Sequence, residues 1–187
     1  MIKSGKDSPF YMNLLGEIDD GMRKDWIIPT VCIGDYNSSY FGFDVVVNAN
    51  FPYNRIPHRK IGRREEPNVL YPDCNLYLGC TLYLVGLCDH DEENIDDYVS
   101  NIIPKLKKIY DENPDTQFLF HCFAGKSRSV AIALAFLVEV MGMAFEDALG
   151  RIKEKRPIIE PRPSFIKTLR MKYNSVSDAV TNEVINK

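Results

Sequence analysis

The sequence predicts an α/β fold in which a central, mostly parallel sheet is flanked by helices. Three observations carry that expectation. The run Phe43 to Ala49 is rich in valine and reads as a buried strand. Segments of strand character alternate with segments of helical period along the chain. Phe118 to Phe120 leads through a short loop containing Gly125 into the apolar stretch Val130 to Val138, which reads as strand, tight loop and buried helix.

Taken in order, Ser8 and Pro9 ahead of Phe10, Tyr11, Leu14, Leu15 and Ile18 predict a capped amphipathic helix near the N-terminus. Trp26 to Gly34 reads as one short strand, and Phe43 to Ala49 as the next. Four prolines and a basic cluster break the pattern between Phe51 and Cys80, so residues 51–80 are expected to form a long irregular insertion. Strand returns at Thr81 to Leu87. Asn94 with Asp97 opens a helix carrying Ile95, Val99, Ile102, Leu106 and Ile109, which Pro104 is expected to kink or split. Phe145, Ala148, Leu149 and Ile152 fall at i, i+3, i+4 and i+7, the spacing of a surface helix. Pro157, Pro161 and Pro163 predict a stiff connection to a last helix over Ser164 to Tyr173, and the polar tract Asp178 to Lys187 is expected to fray. The expected organisation is a helical extension over 1–25, one main domain over 26–175 and a polar tail over 176–187.

At 187 residues the chain can bury a substantial core in one domain. A formal charge of −3 argues against general nucleic-acid binding, which needs positive surface to replace counterions. Five cysteines at irregular spacing include no CxxC pair, so the spacing suggests neither a zinc site nor a disulfide framework, and reduced thiols fit a cytoplasmic or nuclear setting. No apolar run reaches the ~20 residues of a spanning helix. Met1 to Phe10 lacks the apolar core of a secretory signal, and Ile2 stands where N-myristoylation needs glycine.

The run from His121 to Ser129, His-Cys-Phe-Ala-Gly-Lys-Ser-Arg-Ser, carries the chemistry. A bare Cys-x5-Arg spacing is weak evidence, but histidine before, glycine three places after and serine behind the arginine make it specific. Cys122 can attack a phosphate ester as its thiolate, and loop amides, a helix N-terminus and Arg128 all favour an anion there. The N–H groups of Phe123, Ala124, Gly125, Lys126, Ser127 and Arg128 can form a nest around phosphate oxygens. Gly125 permits the backbone angles such a nest needs. Arg128 offers a planar fork matched to two phosphate oxygens, which a lysine cannot supply. Ser129 can donate a hydrogen bond to the cysteine sulfur as it leaves a phosphoenzyme, and His121 is expected to hold the loop rather than act as a base. No cofactor or metal is required.

The segment resembles the signature of the cysteine-dependent dual-specificity protein phosphatases, His-Cys-x-x-Gly-x-x-Arg-Ser/Thr. Ala135 to Leu137, Phe145 to Ala148, Arg156-Pro157, and Pro163 to Phe165 with Leu169 resemble that family's C-terminal pattern. Ile33-Gly34 and Val46 to Asn48 resemble its first strands, so the likeness covers about Trp26 to Tyr173. It implies a protein tyrosine phosphatase-like fold with the catalytic domain over 26–175. Two departures stand out: the family usually has asparagine where Arg162 stands, and residues 51–80 are longer than in compact members.

The resemblance also implies a general acid, an aspartate in the loop after the preceding strand, about thirty residues before the cysteine. Asp89 follows Val85 to Cys88 and lies six residues before Ile95, which fits that placement, with Asp91 as the alternative. Most of the acidic side chains over 89–97 must be solvated or helix-capping. The implied activity is hydrolysis of phosphotyrosine and phosphoserine/threonine through a cysteinyl-phosphate. Lys126 resembles a basic residue found there in relatives acting on lipid phosphates, so a phosphoinositide or other lipid phosphatase is the alternative. A phosphoprotein-binding pseudophosphatase is disfavoured by the intact Cys122, Arg128 and Ser129. The expected partner is a phosphorylated protein, with no nucleic acid and no stable membrane insertion. Arg55, Arg59, Lys60, Arg63 and Arg64 with His58 form a basic cluster that reads as a solvated loop, with docking of an acidic partner, a phosphorylated substrate or an anionic lipid surface as the alternative. Cys88 reads as a buried thiol, with a reversible disulfide to Cys122 as the alternative.

Overall fold

The computed structural model describes residues 24–38, 40, 42–50, 68–70 and 80–185. The expected N-terminal helix, the basic cluster of Arg55 to Arg64 and most of the 51–80 insertion lie outside the described residues. The strands are β1 (Lys24–Ile28), β2 (Val31–Gly34), β3 (Val45–Asn48), β4 (Asn68–Leu70), β5 (Thr81–Val85) and β6 (Phe118–His121). The helices are α1 (Ile95–Glu112), α2 (Arg128–Glu139), α3 (Phe145–Lys155) and α4 (Pro163–Ile185).

The six strands form one sheet in the order β1-β2-β6-β3-β5-β4. The inner four, β2, β6, β3 and β5, run parallel, and the edges β1 and β4 are antiparallel. The expected single strand over Trp26 to Gly34 is instead a hairpin. Pro29 and Thr30 form its turn, and proline cannot donate to a continuing ladder.

Alternation along the inner strands divides the core in two. Val31, Ile33, Val45, Val47, Phe118 and Phe120 join a large cluster with α1, α2, α3 and α4. Cys32, Val46, Leu82, Leu84 and Leu119 point to the other face, where Tyr40, Phe43 and Cys80 pack against them. Residues Ser129 through Leu137 of α2 are all buried, as its apolar sequence requires. Phe136 anchors it on β6, with ring centroids 4.7 Å from Phe118 and 5.4 Å from Phe120.

The start of α1 is as expected: Asn94 accepts a hydrogen bond from the Asp96 N–H and donates one to Asp97. Pro104 does not split it. Ile102, Ile103 and Leu106 around the proline are fully buried, so packing holds one helix of 18 residues. The last helix is longer than the sequence suggests, running past Tyr173 through Ile185.

This topology positions the site. In parallel register Gly34 and Asn48 both lie beside His121, and Leu84 lies beside Asn48. The loops leaving the C-terminal ends of β2, β3, β5 and β6 therefore meet at one edge, where open α/β sheets place ligands.

Candidate active site

The loop between β6 and α2 is held from outside by its carbonyl groups. Phe123 O accepts from the Tyr36 N–H at 3.0 Å, and Lys126 O from the Glu160 N–H at 2.9 Å. Gly125 O accepts from Arg156 Nε at 2.8 Å and Ala124 O from Arg156 Nη2 at 3.5 Å. Among the described residues, no N–H of Phe123 through Ser127 donates to a protein acceptor. With its carbonyls engaged outward, the loop keeps its amides for an anion.

Gly125 has φ 64°, a conformation other residues rarely adopt. A Cβ there would lie 2.5 Å from the Gly34 carbonyl oxygen, so the loop also needs this glycine to rest against the end of β2. Beneath it Arg156 is 2% exposed and also pairs with Asp25. A buried guanidinium with three partners is a structural strut for the loop.

Cys122 sits at the loop's base, 1% exposed, with the Ser129 hydroxyl donating to its sulfur at 3.2 Å. Arg128 starts α2. Its Nη1 donates to Asn50 Oδ1 at 2.9 Å, while its buried Nε has no hydrogen-bond partner among the described residues and lies 3.6 Å from Asp89 Oδ2. A buried guanidinium donor left without a hydrogen bond is suited to a phosphate oxygen.

His121 is fully buried, and its Nε2 lies 2.6 Å from the Tyr40 hydroxyl. Burial pushes it down to about 4, with the Cys122 backbone pulling the other way, so the ring is neutral at physiological pH. This fits the expected holding role. The unfolded chain protonates this histidine near 6.5 while the folded chain does not, so stability falls as pH drops from about 6.5 to about 4. The expected loss over that window is about 3 kcal/mol, read from urea unfolding, and His121→Gln should flatten it. NMR titration should show the His121 ring still neutral at pH 5. A ring that titrates normally would contradict the assignment.

Of the two candidate acids, the structure brings Asp89 to the loop. Asp89 Oδ1 accepts from the Ser127 hydroxyl at 2.7 Å and from Arg162 Nε at 3.3 Å, and its backbone oxygen accepts from Arg162 Nη2 at 2.6 Å. Ser127 thus directs its hydroxyl to Asp89 instead of capping α2. The Arg162 N–H closes the set by donating to Ser127 Oγ at 3.3 Å. Asp91 is turned to the exposed Ser164 hydroxyl, 3.3 Å away. The Lys126 side chain is exposed on the rim, as are Phe123 and Ala124.

Asn50, Arg156, Arg162 and Tyr40 are site residues that the sequence reading did not assign. Arg156 and Arg162 had a signal in the pattern around Pro157 and Pro163, but nothing local marked Asn50 or Tyr40. Replacing Arg162 with alanine should lower turnover of alkyl phosphates by a few-fold to about tenfold, and of p-nitrophenyl phosphate less, because Asp89 loses its orienting partner. Partial recovery with Arg162→Lys would support positioning. Equal loss on both substrates would count against it.

Residues 37–175 match the family described as "Dual specificity phosphatase, catalytic domain". Dual specificity protein phosphatase 1 of Arabidopsis thaliana is 33% identical over 87 residues, covering 46% of this chain and 43% of that protein. Dual specificity protein phosphatase 19 of Mus musculus is 35% identical over 104 residues, covering 55% and 46%. The matches therefore span less than half the length of these relatives. Among solved structures, a mouse putative dual specificity phosphatase superposes with TM-score 0.64 at 19% identity, over 89% of this chain and 96% of that one. Human DUSP28 superposes with TM-score 0.61 at 18% identity, over 83% and 95%. PTPMT1 in complex with PI(5)P superposes with TM-score 0.56 at 18% identity, over 82% and 96%. With most of its length matched to that catalytic domain, the chain belongs to the dual specificity phosphatase family.

Proposed function

We propose that the protein hydrolyses phosphotyrosine and phosphoserine/threonine in protein substrates through a cysteinyl-phosphate. The observation that carries this reading is the loop itself: among the described residues, the five N–H groups that follow Cys122 have no protein acceptor and Arg128 Nε has no hydrogen-bond partner. In the first step Cys122 Sγ bonds to phosphorus as the ester oxygen departs, and the Asp89 carboxyl gives that oxygen its proton. The amides and Arg128 hold the three remaining oxygens as charge develops on them. In the second step water attacks phosphorus, Asp89 takes its proton, and the thiolate leaves with the Ser129 hydroxyl donating to it.

Specific observations favour a second reading with the same chemistry. Lys126 puts an exposed cation on the rim, and one structural neighbour is a complex with PI(5)P. A panel of phosphotyrosine, phosphoserine and phosphothreonine peptides run against short-chain phosphoinositides separates them. The protein-substrate reading expects higher kcat/KM on peptides. Preference for the lipids, with peptides inert, would replace it with the lipid reading.

A further inference from the structure

We propose that Cys88, His90 and Glu93 form a binding site for a zinc-type divalent cation, and that its occupation acts on the loop carrying Asp89. The consequence for Asp89 rests on the catalytic reading above, whereas the binding does not. Among the described residues these three bring a thiol, an imidazole and a carboxylate together, with their ligand atoms all within 4.8 Å of one another. Their spacing is Cys-x-His-x2-Glu, which no CxxC search would flag.

The donor set and its surroundings fit that class of ion. Sulfur with imidazole nitrogen favours zinc over magnesium or calcium, which prefer all-oxygen shells. Tetrahedral zinc holds such ligands roughly 3.3–3.6 Å apart. His90 Nε2 and Glu93 Oε2 already stand at 3.7 Å. The remaining closure is about an ångström, within reach of a loop of turns and bends between β5 and α1.

Glu93 is also oriented for the task. Its Oε1 accepts a hydrogen bond from the Tyr98 hydroxyl, which leaves Oε2 facing His90. An outer partner of this kind fixes a ligating carboxylate. Cys88 is 9% exposed while the His90 side chain is 52% exposed, so an ion can arrive from the solvent side and meet a sheltered thiol. Asp91, Glu92, Asp96 and Asp97 nearby in sequence give the approach a negative field. Binding would form the metal–sulfur bond and release the thiol proton to solvent.

Asp89 lies between two of the three ligands in sequence. Drawing Cys88 and His90 together flexes the backbone whose carbonyl is held by Arg162 and whose carboxylate is held by Ser127. Metal binding should therefore slow turnover without touching Cys122.

The binding arm uses full-length protein carrying Cys122→Ser, so that the proposed nucleophile cannot ligate the probe. Cobalt(II) should produce a thiolate-to-metal charge-transfer band that Cys88→Ser removes. Zinc affinity should fall about tenfold or more in His90→Ala, a half-exposed position whose loss leaves the fold intact. A band that survives without Cys88, or zinc affinity unchanged in His90→Ala, would overturn the site. The activity arm uses protein with Cys122 intact. Zinc should inhibit it, and His90→Ala, with basal activity close to wild type, should need about tenfold more zinc. Equal sensitivity of the two would overturn the link to Asp89. Absence of any basal turnover would instead count against the catalytic reading and leave the binding result standing.

Discussion

Serine at position 122 should reduce p-nitrophenyl phosphate turnover by roughly 10^4-fold or more, the scale seen when an enzyme loses its nucleophile. The expectation is sharper than simple inactivity. The amides of Phe123 through Ser127 and the Arg128 guanidinium do not depend on the sulfur for their positions. They are held by Tyr36, Glu160, Arg156 and Asn50. A Cys122→Ser protein should therefore still bind a phosphopeptide within a few-fold of wild-type affinity, measured by calorimetry, while its rate collapses. Collapse of both would show that the loop had been disturbed. Wild-type rates would remove the nucleophile from the account.

Asparagine at position 89 should lower kcat by about 10^2- to 10^4-fold on phosphoserine and phosphotyrosine peptides, the range expected when a general acid is lost. The effect should depend on the leaving group. An alkoxide needs its proton far more than p-nitrophenolate does, so the loss should be largest on phosphoserine and smallest on p-nitrophenyl phosphate. Asparagine keeps an acceptor for the Ser127 and Arg162 donors, so the surrounding hydrogen bonds can persist. Asp91→Asn should change these rates little, because its carboxylate is engaged by Ser164 on the exposed surface. A larger loss in Asp91→Asn than in Asp89→Asn would reverse the assignment.

What could be read from the sequence follows from how local each interaction is. Residues 121–129 are contiguous, so the proposed nucleophile, amide nest, arginine and serine could all be named from one motif. The central strands and helices were legible because valine-rich runs and apolar periodicities state which faces are buried. Pro29 was present in the sequence, but its turn was lost inside an otherwise strand-like run. Pro104 does not divide α1 as a split would require, since a proline's local penalty was outweighed by the burial of Ile102, Ile103 and Leu106. The supports of the site were the least legible. Asn50 reaches Arg128 across 78 residues, and Arg162 reaches Asp89 across 73. Such pairings exist only once the parallel strands have brought their C-terminal loops to one edge. Arg162, which departs from the family's usual asparagine, becomes intelligible only when its guanidinium is seen on Asp89.

The central claim is that phosphorus passes through a covalent bond to the sulfur of Cys122. Rapid-quench mass spectrometry of the Asp89→Asn protein with p-nitrophenyl phosphate tests it most directly, because p-nitrophenolate leaves with little need of the acid while slowed water attack lets the intermediate accumulate. A phosphoryl group on the peptide containing Cys122, formed and lost at rates matching turnover, is the predicted result. Continued turnover with that peptide unmodified, or with the phosphoryl group on another residue, would contradict it.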